Sequence, residues 1–132
     1  MVRILPALGA LTLGLAACGG SDDEADAQQT VRDFVEATNE RDGERLCSEL
    51  VTREFKEQAT GATGDRVDRI CERQLELTKG LRLDLLAVGT TNIDGERATV
   101  RTRLDIDGVT APRIFALETE DGSWKLASGS SE

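Results

Sequence analysis

Histidine and tyrosine are both absent from the 132 residues, and with them go side chains that commonly move protons or bind metal. Aromatics amount to 3% of the chain, so any core has to be aliphatic and correspondingly modest. Basic charge is short as well: 16 Lys and Arg stand against 25 Asp and Glu, a formal net charge of −9. A surface of that sign repels phosphate backbones and anionic headgroups, which makes nucleic acid a poor partner. No uninterrupted apolar run reaches the roughly 20 residues that span a bilayer, and no twin arginine is present. Disorder is excluded too, because 39% of residues are hydrophobic and they fall in periodic patterns.

What is present begins with an address. Arg3 precedes an apolar stretch from Ile4 to Leu15, broken by Pro6, Thr12 and glycines, and Leu15-Ala16-Ala17-Cys18 follows. A charged start, a short apolar segment and a small-residue cleavage site describe a secretory signal. The cysteine directly after Leu-Ala-Ala resembles the bacterial lipobox. That resemblance implies cleavage before Cys18, lipid attached to it, and an anchor in the cell membrane on the extracytoplasmic face. More than one acyl chain makes such anchoring stable. Without a twin arginine, export is expected through the general secretory route. The expected plan is a signal peptide over 1–17, a tether over 18–24 opened by Gly19-Gly20, a folded domain over 25–128 and a tail over 129–132. Removing residues 1–17 leaves 115, enough for one domain, and only Arg3 among the charges is lost, for a balance of −10.

Cys47 and Cys71 then remain. Outside the cytoplasm an even pair is expected to be oxidised, here with a separation of 24 residues. A metal site is not expected, with no histidine and no third thiolate, and no cofactor is implied.

Along the folded region, Ser21-Asp22-Asp23-Glu24 has the spacing of a capping box. Val31, Phe34, Val35 and Thr38 recur at helical spacing, predicting an amphipathic helix from about Ala25 to Asn39. Arg41-Asp42-Gly43 ends it, and Asp42 can cap a second helix, Glu44 to about Leu50, with Leu46, Cys47 and Leu50 on one face. Val51 and Phe55 extend the apolar pattern towards Ala59. After Gly61-Ala62-Thr63-Gly64, a third helix is predicted from about Arg66 to Thr78 on the stripe Val67, Ile70, Cys71 and Leu75. The disulfide would clamp helix two to helix three. The Gly61–Gly64 loop lacks the lysine of a phosphate-binding loop and follows a helix, so it reads as a connector.

Past Gly80 the apolar period changes from 3.6 to 2. Asp94-Gly95, Asp107-Gly108 and Asp121-Gly122 are hairpin signals that divide the remainder into four antiparallel strands: about Leu81 to Ile93, Glu96 to Ile106, Val109 to Glu120 and Ser123 to Ser128. Two-residue turns then set Ala98 against Thr91 and Leu117, Val100 against Gly89 and Phe115, and Leu126 against Leu117. One face carries Leu83, Leu85, Ala87, Gly89, Thr91, Ala98, Val100, Thr102, Leu104, Ile106, Phe115, Leu117, Trp124 and Leu126 and needs covering by the helices. The other carries Arg97, Arg101, Arg103, Asp105, Glu118 and Lys125, with Arg97, Glu118 and Lys125 in one cross-strand row. Leu86, Val88, Ile114 and Ala116 interrupt that polar face and offer a homodimer patch, though scattered surface apolar residues are ordinary.

Three N-terminal helices packed on a curved four-stranded antiparallel meander make an α+β domain. With Val31-Arg32-Asp33-Phe34, the two helix cysteines and the closing Asp121-Gly122-Ser123-Trp124-Lys125-Leu126, it resembles the nuclear-transport-factor-2-like superfamily, and most of all the small lipoproteins of actinobacterial type within it. The resemblance implies a sheet curled round the first helix to enclose a pocket, used by some members for isomerase, cyclase or dehydratase chemistry and by others for binding or assembly. Residues expected to line that pocket are Phe34, Phe55, Ala87, Thr102, Arg113, Phe115 and Trp124. Arg113 is the only ionisable group on the inward face, opposite Thr102 near the open end, and arginine is no general base. It is expected to pair with a helix acid such as Glu36 or Glu54. The serines lie in termini and turns and the cysteines are expected to be bonded, so no activated nucleophile is in view. A non-catalytic domain binding a small apolar ligand or an envelope protein follows; the alternative is a small isomerase- or cyclase-like enzyme using a pocket carboxylate.

Overall fold

A computed structural model describes residues 19–78 and 80–131. The predicted signal peptide and Cys18 lie outside them. Helix α1 (Gly19–Glu40) is followed by the single turn α2 (Gly43–Arg45), which widens into a π-helical turn, Leu46–Leu50. Helix α3 (Arg53–Thr60), a 3-10 turn (Gly64–Arg66) and helix α4 (Val67–Leu77) come next. Strands β1 (Leu83–Asp94), β2 (Arg97–Ile106), β3 (Val109–Glu120) and β4 (Ser123–Ser131) complete the chain. They form one antiparallel meander in the order β1-β2-β3-β4. The α+β architecture is as expected, with the second predicted helix divided. No helix among the described residues is long and apolar enough to cross a membrane.

Helix α1 starts earlier than its apolar stripe suggests and takes in residues 19–24, which were expected to form a tether. Asp22 in the first turn complements the positive end of the helix, and the following alanines favour helix over coil. Its buried face is Ala27, Val31, Val35 and Thr38, with Phe34 packed beside them. Arg41 ends it in the left-handed region at φ 58°, where glycine is the usual residue. The guanidinium explains the exception: it donates to the carbonyls of Thr38, Thr78 and Leu81, joining the ends of α1 and α4 to the entry of β1.

Asp42 caps α2 as expected, accepting from the Arg45 amide at 3.2 Å. The widened turn brings Leu46, Cys47, Leu50 and then Val51 into the core. Val51 and Thr52 leave the helix for extended backbone, and the Thr52 amide donates to the Leu126 carbonyl at 2.9 Å. This short bridge covers part of the β4 edge. Thr52 also caps α3 by accepting from the Phe55 amide at 3.1 Å, which explains the division of the helix. Cys47, fully buried, is bonded to Cys71 and ties the π-helical turn to α4.

The β2–β3 register is the expected one: Ala98 faces Leu117, Val100 faces Phe115, and Leu126 faces Leu117 on β4. The β1 register differs. Ala98 faces Ile93 and Val100 faces Thr91, because the first hairpin turns on Gly95-Glu96 rather than Asp94-Gly95. Gly95 has φ +60° and Glu96 does not share it, the sign pattern of a II′ turn, whereas Asp107-Gly108 and Asp121-Gly122 have positive φ at both positions, as in I′ turns. Two bulges, between Leu85 and Ala87 and between Val88 and Thr91, absorb the two-residue difference before Leu83 meets Ile106. Each slips the pairing by one, so Ala87 turns outward opposite Arg103 and Val88 turns into the core opposite Thr102. Gly89 sits at the second bulge, where a Cβ would come within 3.4 Å of the Arg101 carbonyl oxygen. The final strand runs to Ser131, through the segment expected to be a tail.

Candidate functional site

The concave face of the sheet, where a pocket was expected, is occupied by side chains. Val100 is fully buried, Leu117 and Leu126 are nearly so, and Phe115 and Trp124 retain 5% and 8% exposure. Phe34 from α1 reaches across to Phe115 with ring centroids 6.0 Å apart and planes tilted by 57°, a favourable aromatic geometry. Thr102 is buried and donates its hydroxyl to the Arg113 carbonyl at 3.0 Å. Arg113 is half-buried on β3 directly opposite Thr102, as predicted. Of the acids expected near it, Glu36 lies 3.7 Å from Arg45 and Glu54 accepts from Gln58. Phe55 packs half-buried against the core from α3, while Ala87 is exposed on the convex side. The structure therefore brings Phe34, Thr102, Phe115 and Trp124 together as packing, with Phe55 at its margin.

Buried polar groups among the described residues are Thr30, Thr38, Thr52, Thr102, Lys56 and Lys125; no carboxylate belongs to that set. Both lysines are held by acids on neighbouring elements. Lys56 Nζ lies 2.5 Å from Asp68 and fastens α3 to α4. Lys125 Nζ lies 3.5 Å from Glu120 and 3.9 Å from Asp121. Its place in the Arg97–Glu118–Lys125 row was legible from the register, but its burial was not. Asn39 was also missed. Its amide donates to the Leu83 carbonyl at 2.7 Å and accepts from the Leu83 amide at 2.9 Å, so α1 grips the start of β1 through both backbone groups. A polar residue four positions beyond Val35, at the edge of an apolar stripe, was the available signal.

Two open grooves flank the filled interior. The first, of about 700 Å³, runs between α1 and β1, with Val35, Leu83, Leu85 and Val88 among its apolar residues and Arg32, Glu36, Glu40, Arg82 and Asp84 among its charged ones. The second, of about 630 Å³, lies between α1, residues 48–50 and the β3–β4 turn. Leu50 and Trp124 line it with Asp23, Asp26, Asp33, Glu49 and Asp121, and Lys125 is its cation. On the convex side, Arg101 and Arg103 lie between Ile114 on β3 and the exposed Leu86–Ala87 stretch on β1. With Val88 turned inward, the apolar patch considered for a homodimer is divided by charge.

No family model matches the chain, and no curated protein sequence does. Solved structures do match in fold. A protein from Novosphingobium aromaticivorans assigned as a scytalone dehydratase superposes with a TM-score of 0.57 at 14% identity, covering 86% of this chain and 89% of its own. An NTF-2-like protein of unknown function from Silicibacter pomeroyi gives 0.55 at 17% identity, over 83% and 94%. An LEH-like epoxide hydrolase from M. tuberculosis gives 0.52 at 17% identity, over 80% and 84%. At these identities the likeness establishes the nuclear-transport-factor-2-like fold, which carries enzymes and other proteins alike.

Proposed function

We propose that this chain is a lipid-anchored, non-catalytic domain of the extracytoplasmic face that works by binding a protein partner on its surface. The observation that carries the reading is the filled concave face. Phe34, Phe115 and Trp124 occupy the hollow where a small apolar ligand would otherwise lie. Acid–base chemistry needs a titratable group within reach of a reacting atom. In the first groove the acids Glu36, Glu40 and Asp84 are exposed to solvent. The isomerase-like alternative gains no specific support from this arrangement.

The anchor rests on Leu15-Ala16-Ala17-Cys18. With α1 beginning at Gly19, lipid on Cys18 would hold the N-terminal end of that helix, with Asp22 and Asp23, near the headgroups. Those charges would favour a domain standing off an anionic surface. Intact mass of protein extracted from bacterial membranes tests the proposal. The expected species spans residues 18–132 plus acyl groups, and Cys18→Ser moves the chain to the soluble fraction. A membrane-extracted chain with an unmodified Cys18 overturns the anchor.

A further inference from the structure

We infer that the open edge of β1 accepts an extended segment of the binding partner as a fifth strand, and that this segment carries an acidic residue followed four positions later by a lysine. The inference deepens the surface-binding reading above and rests on it.

The two edges of the sheet are finished differently. On β4 the Thr52 amide donates to the Leu126 carbonyl, and Val51 bridges to the same residue. On β1 the cover is a single side chain. Asn39 donates to the Leu83 carbonyl and accepts from the Leu83 amide, as a residue of a neighbouring strand would. Both backbone groups of Leu83 therefore point away from β2, while the Arg82 carbonyl points towards it and accepts from the Asp107 amide. Along an antiparallel pair these directions alternate. Leu83, Leu85 and Val88 oppose Ile106, Leu104 and Thr102, which follow one another by two residues on β2. Leu85 and Val88 thus also turn their amide and carbonyl outward, with the first bulge taking up the extra residue on β1. Among the described residues, no side chain does for Leu85 or Val88 what Asn39 does for Leu83.

Unpaired backbone alone would mark only an edge; the charges on α1 specify what fits beside it. Gln28 donates to the Thr91 hydroxyl at 2.9 Å, and Asn39 holds Leu83, so α1 runs antiparallel to β1 with the first groove between them. Arg32 and Glu40 line that groove, and neither makes an ion pair or hydrogen bond with a described residue. Glu36, between them, lies 3.7 Å from Arg45. From Arg32 to Glu40 is two turns of helix, about 12 Å. An extended chain covers about 14 Å in four residues. A segment antiparallel to β1 would therefore place its first residue, an acid, at Arg32 and its fifth, a lysine, at Glu40. Its third would face Val35 and Leu85, since alternate residues share a face. A second copy of this chain fits less well, because it brings a further formal charge of −9 to the contact.

The test is calorimetric titration of the folded chain with acetyl-Asp-Thr-Val-Thr-Lys-amide, with the charge-reversed acetyl-Lys-Thr-Val-Thr-Asp-amide, and with the first peptide N-methylated at its valine. The first peptide should bind saturably and slow amide exchange at Leu85 and Val88. Charge reversal should weaken it about fivefold, the effect of two exposed ion pairs. N-methylation keeps every charge but deletes a donor to the β1 backbone, and should abolish saturable binding. Arg32→Glu with Glu40→Lys alters two exposed side chains that make no described bond and leaves the net charge unchanged, so folding is retained and the preference between the charged peptides inverts. Absence of saturable binding by the first peptide overturns the site, and undiminished binding of the N-methylated one overturns strand addition. Equal affinity for the two charge orders overturns the charge assignment. A dimer in sedimentation, with Leu85 and Val88 protected before any peptide is added, overturns the partner segment in favour of a second copy. The surface-binding reading falls separately, on xenon uptake by the unaltered interior.

Discussion

Reducing or removing the Cys47–Cys71 bond should cost the domain a large part of its stability. The two residues are 24 apart in sequence. Opening a loop of that size releases unfolded-state entropy worth about 3.5 kcal/mol at 25 °C on the chain-entropy model. Single domains of this size hold about 5–15 kcal/mol in total. The native side of the balance points the same way. Val67 and Leu75 are the buried residues of α4, and Cys71 packs half-buried beside them. Its remaining ties include the Lys56–Asp68 ion pair and the close approach of Gly43, where an added Cβ would meet Glu72 at 3.2 Å. Urea denaturation followed by Trp124 emission and by helical circular dichroism, with and without a thiol reductant, measures the loss. The midpoint of thermal unfolding should drop by about 15 °C. Cys47→Ala with Cys71→Ala should show the same deficit and no further response to reductant. Amide exchange in α4 should rise more than in β2 and β3. A deficit below about 1 kcal/mol would refute this reasoning, because it would mean that α4 is held chiefly by packing.

Other changes should separate the smaller contributions. Asn39→Ala removes both hydrogen bonds to Leu83 and should cost about 2 kcal/mol by urea denaturation, with the start of β1 losing exchange protection first. Gly122→Val places a β-branched residue at φ +78° and should cost about 1–2 kcal/mol, where Gly122→Asn costs less. Asp68→Asn strands the buried Lys56 ammonium and should destabilise by about 1–2 kcal/mol, discounted because Asp68 is half-exposed. Lys56→Met, which removes the buried charge together with its need for a partner, should cost less than Asp68→Asn in the same assay.

The helices and turns were legible because their signals are local. Val31, Phe34, Val35 and Thr38 announce a buried helical face, and three Asp-Gly pairs announce three hairpins, so the meander and the β2–β3 register follow directly. The register of β1 was hidden for a physical reason. Leu83, Leu85, Ala87, Gly89 and Thr91 continue an unbroken alternation, and only the apolar Leu86 and Val88 on the opposite parity mark where the strand slips. The turn was ambiguous too, since Asp94-Gly95 suits a I′ turn and Gly95-Glu96 a II′ turn. Lys125 and Lys56 were hidden because burial of a cation depends on which acids other elements bring near it, and residue spacing along one strand or helix does not carry that information. Filling of the hollow was likewise undetermined: Ala87 was expected to line a pocket, but the bulges that bend the strand also turn it away from the interior.

On the concave face Phe34, Phe115 and Trp124 are core packing, and the proposal that the domain acts from its surface rests on that filling. Xenon binding followed by NMR tests it directly, because xenon enters apolar cavities too small for most ligands. No saturable uptake is expected in the native chain, and Phe34→Ala should create a site beside Phe115 that takes up xenon. Saturable binding of xenon inside the unaltered domain would contradict the account.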